Sequence, residues 1–374
     1  MNSNDTNYIE QLTWLRGIAA FFVIVSHTVR ATEVSYYPGD VPSLNPIASA
    51  LDLGTFGVML FFALSGCTLY ISNNQGVSLK NIKFFYIKRF MRIWPAFVVS
   101  LVLYVCFRPV FSEFYGLHQG LWIEKQFVAP ISWESLLAYL TLVFNFTGPP
   151  GLINNAYWSL PIEFQYYLIF PIIVFSARLG FVGPLLVWLL LYCAPKIFPI
   201  PNSQLFSMSL SFCGGVTVGF LYLKFPQYKV SHWIGVFLMG LCISSASVFG
   251  NHWLELPDLP FVSNIWNFYS IIAVLSVGVA LYASFVLPES LKVFLKRYGD
   301  VSYSTYLYHN LVIAAVLLVM LKYSIEGQLR YIILFVLTVV LTHFLAVGSY
   351  KWVEKPSINS GRKIIQAWKR KYQE

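Results

Sequence analysis

Apolar residues in this chain fall in long runs, separated by short stretches that hold most of the charge. The runs lie at about 12–30, 49–71, 90–110, 156–177, 179–195, 204–224, 230–250, 264–287, 301–322 and 329–352. A helix needs about 20 apolar residues to cross the roughly 30 Å hydrocarbon layer of a bilayer. Each run reaches or approaches that length. The pattern therefore predicts an all-α, polytopic membrane bundle of about ten transmembrane helices. An eleventh run, 131–146, is shorter, is flanked by Trp133 and Glu134, and stops at Gly148-Pro149-Pro150.

The cations separate ten spans from eleven. With ten spans and a cytoplasmic N-terminus, the inner segments hold Lys80, Lys83, Lys88, Arg89, Arg92, Arg178, Lys224, Lys229, Lys292, Lys296, Arg297 and the seven cations from Lys351 onward. That is 18 of the 25 Lys and Arg. Arg30, Arg108, Lys125, Lys196, Lys322 and Arg330 fall outside, and Arg16 lies within the first span. Cytoplasmic loops carry an excess of Lys and Arg. A span at 131–146 would invert every later loop and put the basic tail outside. The reading is therefore both termini in the cytoplasm, with 131–146 an interfacial or re-entrant element inside an outer loop, 111–155. A transmembrane domain over 1–356 is followed by a basic cytoplasmic tail over 357–374, long enough for a surface helix on anionic lipid.

Composition changes the picture little. The chain is 57% hydrophobic and 11% charged, against about 25% charged in soluble domains, so lipid must cover what polar side chains cannot. The net charge of +9 follows from the inner-loop bias and does not point to nucleic acid. The five cysteines sit in apolar runs with no metal-ligand or redox spacing, and no metal or permanently bound cofactor is expected. Residues 1–11 contain Asp5 and Glu10 and no basic residue, so no cleavable signal is expected.

Polar residues inside the runs are functional candidates, because each costs roughly 2.5–3.5 kcal/mol to insert. Arg16 and His27 share the first run eleven residues apart, about 16 Å along a helix and within about 20° of one face. Arg16 reads as an inner anchor or an anion ligand, His27 as an interfacial histidine or a base. In Phe61-Phe62-Ala63-Leu64-Ser65-Gly66, Ser65 is either a packing residue or a hydrogen-bond donor. Lys88-Arg89-Phe90-Met91-Arg92 puts Arg89 and Arg92 on one face at the cytoplasmic rim, as topology signal or as a phosphate-binding pair. Tyr157-Trp158-Ser159-Leu160-Pro161-Ile162-Glu163 puts Glu163 about 9 Å below the outer rim, near the level expected for His27. Ser302, Thr305, Tyr306 and His309 open the ninth run as a polar stripe at helical spacing, with His309 either a packing histidine or a ligand contact.

Cations at the inner level and a His–Glu pair at the outer level suit a long ligand with phosphates at one end and a thioester at the other. Coenzyme A is such a molecule. On this reading Arg16, Arg89 and Arg92, with Ser65, hold the donor. His27 is the general base on an acceptor hydroxyl, and Glu163 holds its tautomer. Lys88, Trp158, Ser159, Tyr303 and His309 form a further candidate set.

The chain resembles the acyltransferase-3 family of membrane-bound bacterial acyltransferases. The resemblance rests on six pieces in the family's order: Leu15-Arg16-Gly17 with His27; Phe61 to Gly66; Arg89-Phe90-Met91-Arg92-Ile93-Trp94-Pro95; Trp158 to Glu163; Ser302-Tyr303 through His309; and Glu354-Lys355-Pro356. It implies ten helices in the bacterial cytoplasmic (inner) membrane. It also implies O-acylation of a surface glycan (O-antigen, lipooligosaccharide or exopolysaccharide, in some cases lipid-linked), usually with acetyl from acetyl-CoA as co-substrate. It makes Arg16 and His27 the essential pair. Two departures stand out: Lys88-Arg89 where relatives often have two arginines, and Met59 where relatives often have an acid. Some relatives carry a fused extracytoplasmic hydrolase-like domain; none is visible here, so transfer is expected to finish in the membrane domain or with a separate partner. Transfer of a succinyl or longer acyl group and a transporter or flippase are the competing readings.

Overall fold

In the computed structural model, residues 9–32, 50, 52–73, 81–111, 131–147, 153–198, 204–250, 254–256, 264–325 and 327–372 are described. Among them every regular element is a helix, with no strand and one isolated bridge between Val230 and Ala283. The helices are α1 (Glu10–Thr32), α2 (Gly54–Ser72), α3 (Ile82–Phe111), α4 (Trp133–Leu140), α5 (Ser159–Ser176), α6 (Val182–Ile197), α7 (Ser209–Lys224), α8 (His232–Gly250), α9 (Ile265–Tyr282), α10 (Glu289–Asp300), α11 (Ser302–Lys322), α12 (Gly327–Ser349) and α13 (Lys355–Tyr372).

Nine helices among the described residues are long and apolar enough to cross a membrane. The fifth predicted run becomes α6, whose 16 residues extend about 24 Å, short of a full hydrocarbon layer. Large apolar side chains stay uncovered on several helices: Phe175 on α5 is 63% exposed, Phe237 on α8 64% and Phe344 on α12 70%. Patches of that kind need a non-aqueous partner. The protein is a multi-pass membrane protein.

The 131–146 run forms α4, of eight residues, capped by Ser132, which trades hydrogen bonds with Ser135. Eight residues rise about 12 Å, too little to span. Leu142 then turns the chain through φ 55°. Of the outer loop expected over 111–155, residues 112–130 and 148–152 lie outside the described ones.

The chain divides into two compact units. The first contains Met1–Val23, Ala50–Val77 and Ile169–Asp300. Its helices pack through small residues. A Cβ on Gly66 would strike the carbonyl of Phe212, and one on Gly215 the carbonyl of Ala63. Only glycine lets α2 and α7 approach so closely. On the adjoining α9, Ser270 receives a hydrogen bond from Ser211 at 2.7 Å. An apolar groove of about 400 Å³ runs among Trp14, Phe22, Phe56, Met239, Phe285 and Leu295.

The second unit contains Ile24–Ser49, Ser78–Leu168 and Val301–Glu374. Val25 and Val29 of α1 pack on Tyr331 and Phe335 of α12. Between α12 and α13 the helix continues through a π turn, Tyr350–Glu354. There the Glu354 carboxylate, 2% exposed, accepts from the Ser304 hydroxyl at 3.1 Å. The basic tail read from the sequence is thus the regular helix α13, and the cations between α9 and α11 lie on α10, a helix the apolar runs did not anticipate.

Candidate active site

The start of α11 is unusually polar for a buried segment. His309 and Asn310 are both wholly buried, and a buried polar group needs a hydrogen-bond partner. Their partners define the site. Tyr303 of α11 donates to the carbonyl of Ile93 on α3 at 2.9 Å, and Tyr306 to the carbonyl of Ala156 at 2.6 Å. With its proton so committed, the Tyr306 oxygen accepts from the Ser159 hydroxyl at 2.8 Å. These bonds fix α11 against α3 and against a 3-10 turn, Asn155–Trp158, that precedes α5.

The chain of amides and imidazoles beside these bonds leaves one proton arrangement. The Asn154 side-chain oxygen caps the turn, accepting the Ala156 N–H at 3.0 Å. The same oxygen accepts from the Asn310 NH2 at 2.8 Å. The Asn310 oxygen must then face the other way, where it lies 2.9 Å from Nδ1 of His27. Nδ1 of His27 therefore carries the proton, and Nε2 carries the lone pair. A second anchor gives the same answer. Nδ1 of His309 lies 2.8 Å from the Tyr306 carbonyl and must donate to it, so Nε2 of His309 is an acceptor. That Nε2 is 2.9 Å from Nδ1 of His27, and the two rings stand 4.9 Å apart. A single N–H of His27 is shared by two acceptors, each fixed by a backbone group.

Sequence reasoning assigned the orientation of His27 to Glu163. In the structure that work is done by Asn310 and His309. Glu163 instead accepts a short hydrogen bond, 2.5 Å, from Tyr167 one turn along α5. Arg89 has its guanidinium carbon 5.8 Å from the Phe85 ring centre and 5.9 Å from that of Tyr167, within cation–π range, and it feels the Glu163 carboxylate. The same carboxylate acts on Tyr303 and Tyr306 of α11, so it adjoins both the arginine and the polar start of that helix.

The Nε–H of Arg89 is buried with no hydrogen-bond partner among the described residues. An orphaned guanidinium N–H costs about 1–3 kcal/mol or more, and it invites an anion. Arg92 follows three residues later and is half-buried; Lys88 is exposed. Tyr303, which bonds α3 one residue beyond Arg92, and His309 are six positions apart on α11, about 9 Å along the helix. Trp158 is half-buried in the 3-10 turn. In the first unit, Arg16 donates to the Thr68 hydroxyl at 2.8 Å, and Ser65, one turn earlier on α2, is buried. The structure thus brings together His27, His309, Ser159 and Tyr306, and beside Arg89 it places Glu163 and Tyr167.

Asn154 and Asn310 went unnoticed in the sequence. The signal for the first was an Asn-Asn step opening a helix, a common N-cap; for the second, its place directly after His309 in a buried run.

The family model for an acyltransferase domain, acyltransferase-3, matches residues 9–347. The chain is 24% identical over 384 residues to O-acetyltransferase OatA of Staphylococcus aureus strain NCTC 8325, covering 96% of this chain and 58% of that protein. It is 24% identical over 399 residues to SACOL0978 of Staphylococcus aureus strain COL, provisionally named an O-acetyltransferase, covering 98% of this chain and 59% of the relative. The chain therefore spans about three-fifths of the length of these relatives. No solved structure matches it. With the domain model running over nearly its whole length, the chain belongs to the acyltransferase-3 family.

Proposed function

We propose that this protein is a membrane O-acetyltransferase that takes acetyl from acetyl-CoA and places it on a hydroxyl of a cell-surface polysaccharide. The observation that carries the reading is the buried His27, whose Nε2 lone pair is set by hydrogen bonds running back to two backbone groups. A neutral imidazole locked in that tautomer is a general base. Ten spans in the bacterial cytoplasmic membrane, both termini inside and donor entry from the cytoplasm complete the proposal.

In the proposed reaction, Nε2 of His27 takes the proton of the acceptor hydroxyl as its oxygen attacks the thioester carbonyl. The tetrahedral intermediate collapses, the C–S bond breaks, and the thiolate recovers the proton from Nε2. The imidazolium formed in between is stabilised by its Nδ1–H bonds to Asn310 and His309. Arg89 and Arg92 bind phosphates of the donor, and Glu163 with Tyr167 holds Arg89 in place. Arg16, on the same helix as His27, is proposed as a further donor ligand. The names of the relatives at 24% identity support acetyl over succinyl.

Surface-glycan acetate measured by NMR with and without the gene tests the activity, and its persistence without the gene would refute it. Arg89→Lys tests the donor site, because it keeps the charge and removes the Nε–H and the fork. Loss of one charge-assisted hydrogen bond, about 1.5–3 kcal/mol, should weaken acetyl-CoA binding about 10–100-fold in calorimetry on nanodiscs. Unchanged affinity would remove Arg89 from the site. No saturable binding by the folded wild type would favour the transporter.

A further inference from the structure

Helix α13 carries six cations and no carboxylate, and α3, on which it lies, has no carboxylate either. Its contact face is Gly361, Ile365 and Trp368, spaced as neighbours on one side of a helix. A Cβ on Gly361 would stand 3.1 Å from Met91 of α3. Ile365 is buried, and Trp368 meets Phe84 edge-on with ring centres 6.4 Å apart. Lys83 of α3 places its ammonium 4.9 Å from the Trp368 ring, and Lys369 of α13 places its own 5.5 Å from the Phe84 ring.

This seating sets where the other cations fall. Arg362 and Lys369 are seven residues apart, so they stand within about 20° of each other and about 10 Å apart along the helix. Both are exposed, and both act electrostatically on Lys88. Lys88 precedes Arg89, the residue with the buried, orphaned N–H. The cations thus run from an exposed rim of Arg362, Lys369 and Lys88 to a buried guanidinium. Like charges held together repel, and a bound anion relieves the repulsion. A row that leads inward to an unsatisfied donor fits an anion with more than one phosphate.

We propose that α13 is the outer lip of the donor site, with Arg362, Lys369 and Lys88 receiving the 3′-phosphate of acyl-CoA while Arg89 receives the diphosphate. The proposal rests on the donor reading above and adds a segment beyond residues 9–347, where the family domain matches. The order of the phosphates follows from the ligand. The diphosphate carries the pantetheine arm, which must run inward to His27, so the 3′-phosphate stays nearer the surface. An anionic phospholipid headgroup offers the same phosphate chemistry, and the test separates the two.

The probes are acetyl-CoA and 3′-dephospho-acetyl-CoA, titrated by calorimetry into the full chain in neutral phosphatidylcholine nanodiscs. Wild type should bind acetyl-CoA about tenfold more tightly than the dephospho form, the worth of one charge-assisted phosphate contact. The R362Q/K369Q double variant, which keeps Lys88 alone, should lose most of this discrimination and bind acetyl-CoA close to the dephospho affinity, with an unchanged melting temperature. Three results would overturn the proposal: retained discrimination in the variant, equal losses for both ligands, or an effect seen only in phosphatidylglycerol nanodiscs, which would make α13 a lipid anchor. If wild type binds neither ligand, the donor reading itself fails and this inference with it. If wild type discriminates and the variant still does, the inference alone fails.

Discussion

His27→Ala is expected to lower acyl transfer about 10²–10⁴-fold, the usual contribution of a general base, with acetyl-CoA affinity unchanged. The side chain is 7% exposed and bonded to two residues. Alanine would therefore also leave two buried acceptors unpaired, at about 1–3 kcal/mol each. His27→Gln separates the two effects, because its amide can still donate to Asn310 while it cannot take a proton. Both variants should lose activity alike, and the Gln variant should keep wild-type thermal stability in detergent. Activity within a factor of two of wild type in either would remove the base from the mechanism.

The second large effect belongs to a pair. Asn310 and His309 both accept from Nδ1 of His27 at 2.9 Å, so either alone still holds the productive tautomer. His309→Phe and Asn310→Leu should each cost about tenfold or less. Together they leave the imidazole free to turn, and the double variant should approach the His27→Ala loss, far beyond the product of the singles. In serine proteases a wrong histidine tautomer costs about 10⁴ in turnover, and groups that share one partner are not additive. The loss should appear in kcat with the donor KM unchanged. A double variant equal to the product of the singles would show that the two acceptors act independently.

Most spans were legible because lipid demands about twenty apolar residues in a row, a constraint written directly in composition. The ends of the helices were less so. The α6 helix stops at 16 residues, and α10 hides in a cationic stretch whose 12 residues have no apolar run. Within the site, His27, His309, Ser159 and Arg89 stood out as polar groups in apolar surroundings. Asn154 and Asn310 did not, since an amide carries no charge and its importance lies in which end it turns to which neighbour. Glu163 was seen, but its bond to Tyr167 one turn along α5 was not, and the 3-10 turn at Asn155–Trp158 has no signature in hydropathy.

The histidine pair also bears on energetics. Its two anchors, an amide and a peptide carbonyl, are neutral and cannot accept a proton for keeps, so the pair holds one extra proton at most and must shed it before the next cycle. In the proposed reaction the departing thiolate is the recipient. On the proposed topology, with donor and acceptor on opposite faces, an acyl group then moves outward as a proton moves inward, and coenzyme A leaves with the charge it brought. The exchange carries no net current across the bilayer. Turnover in sealed proteoliposomes should be the same with and without an imposed membrane potential, and a rate that follows the voltage would mean that a charge crosses elsewhere in the cycle.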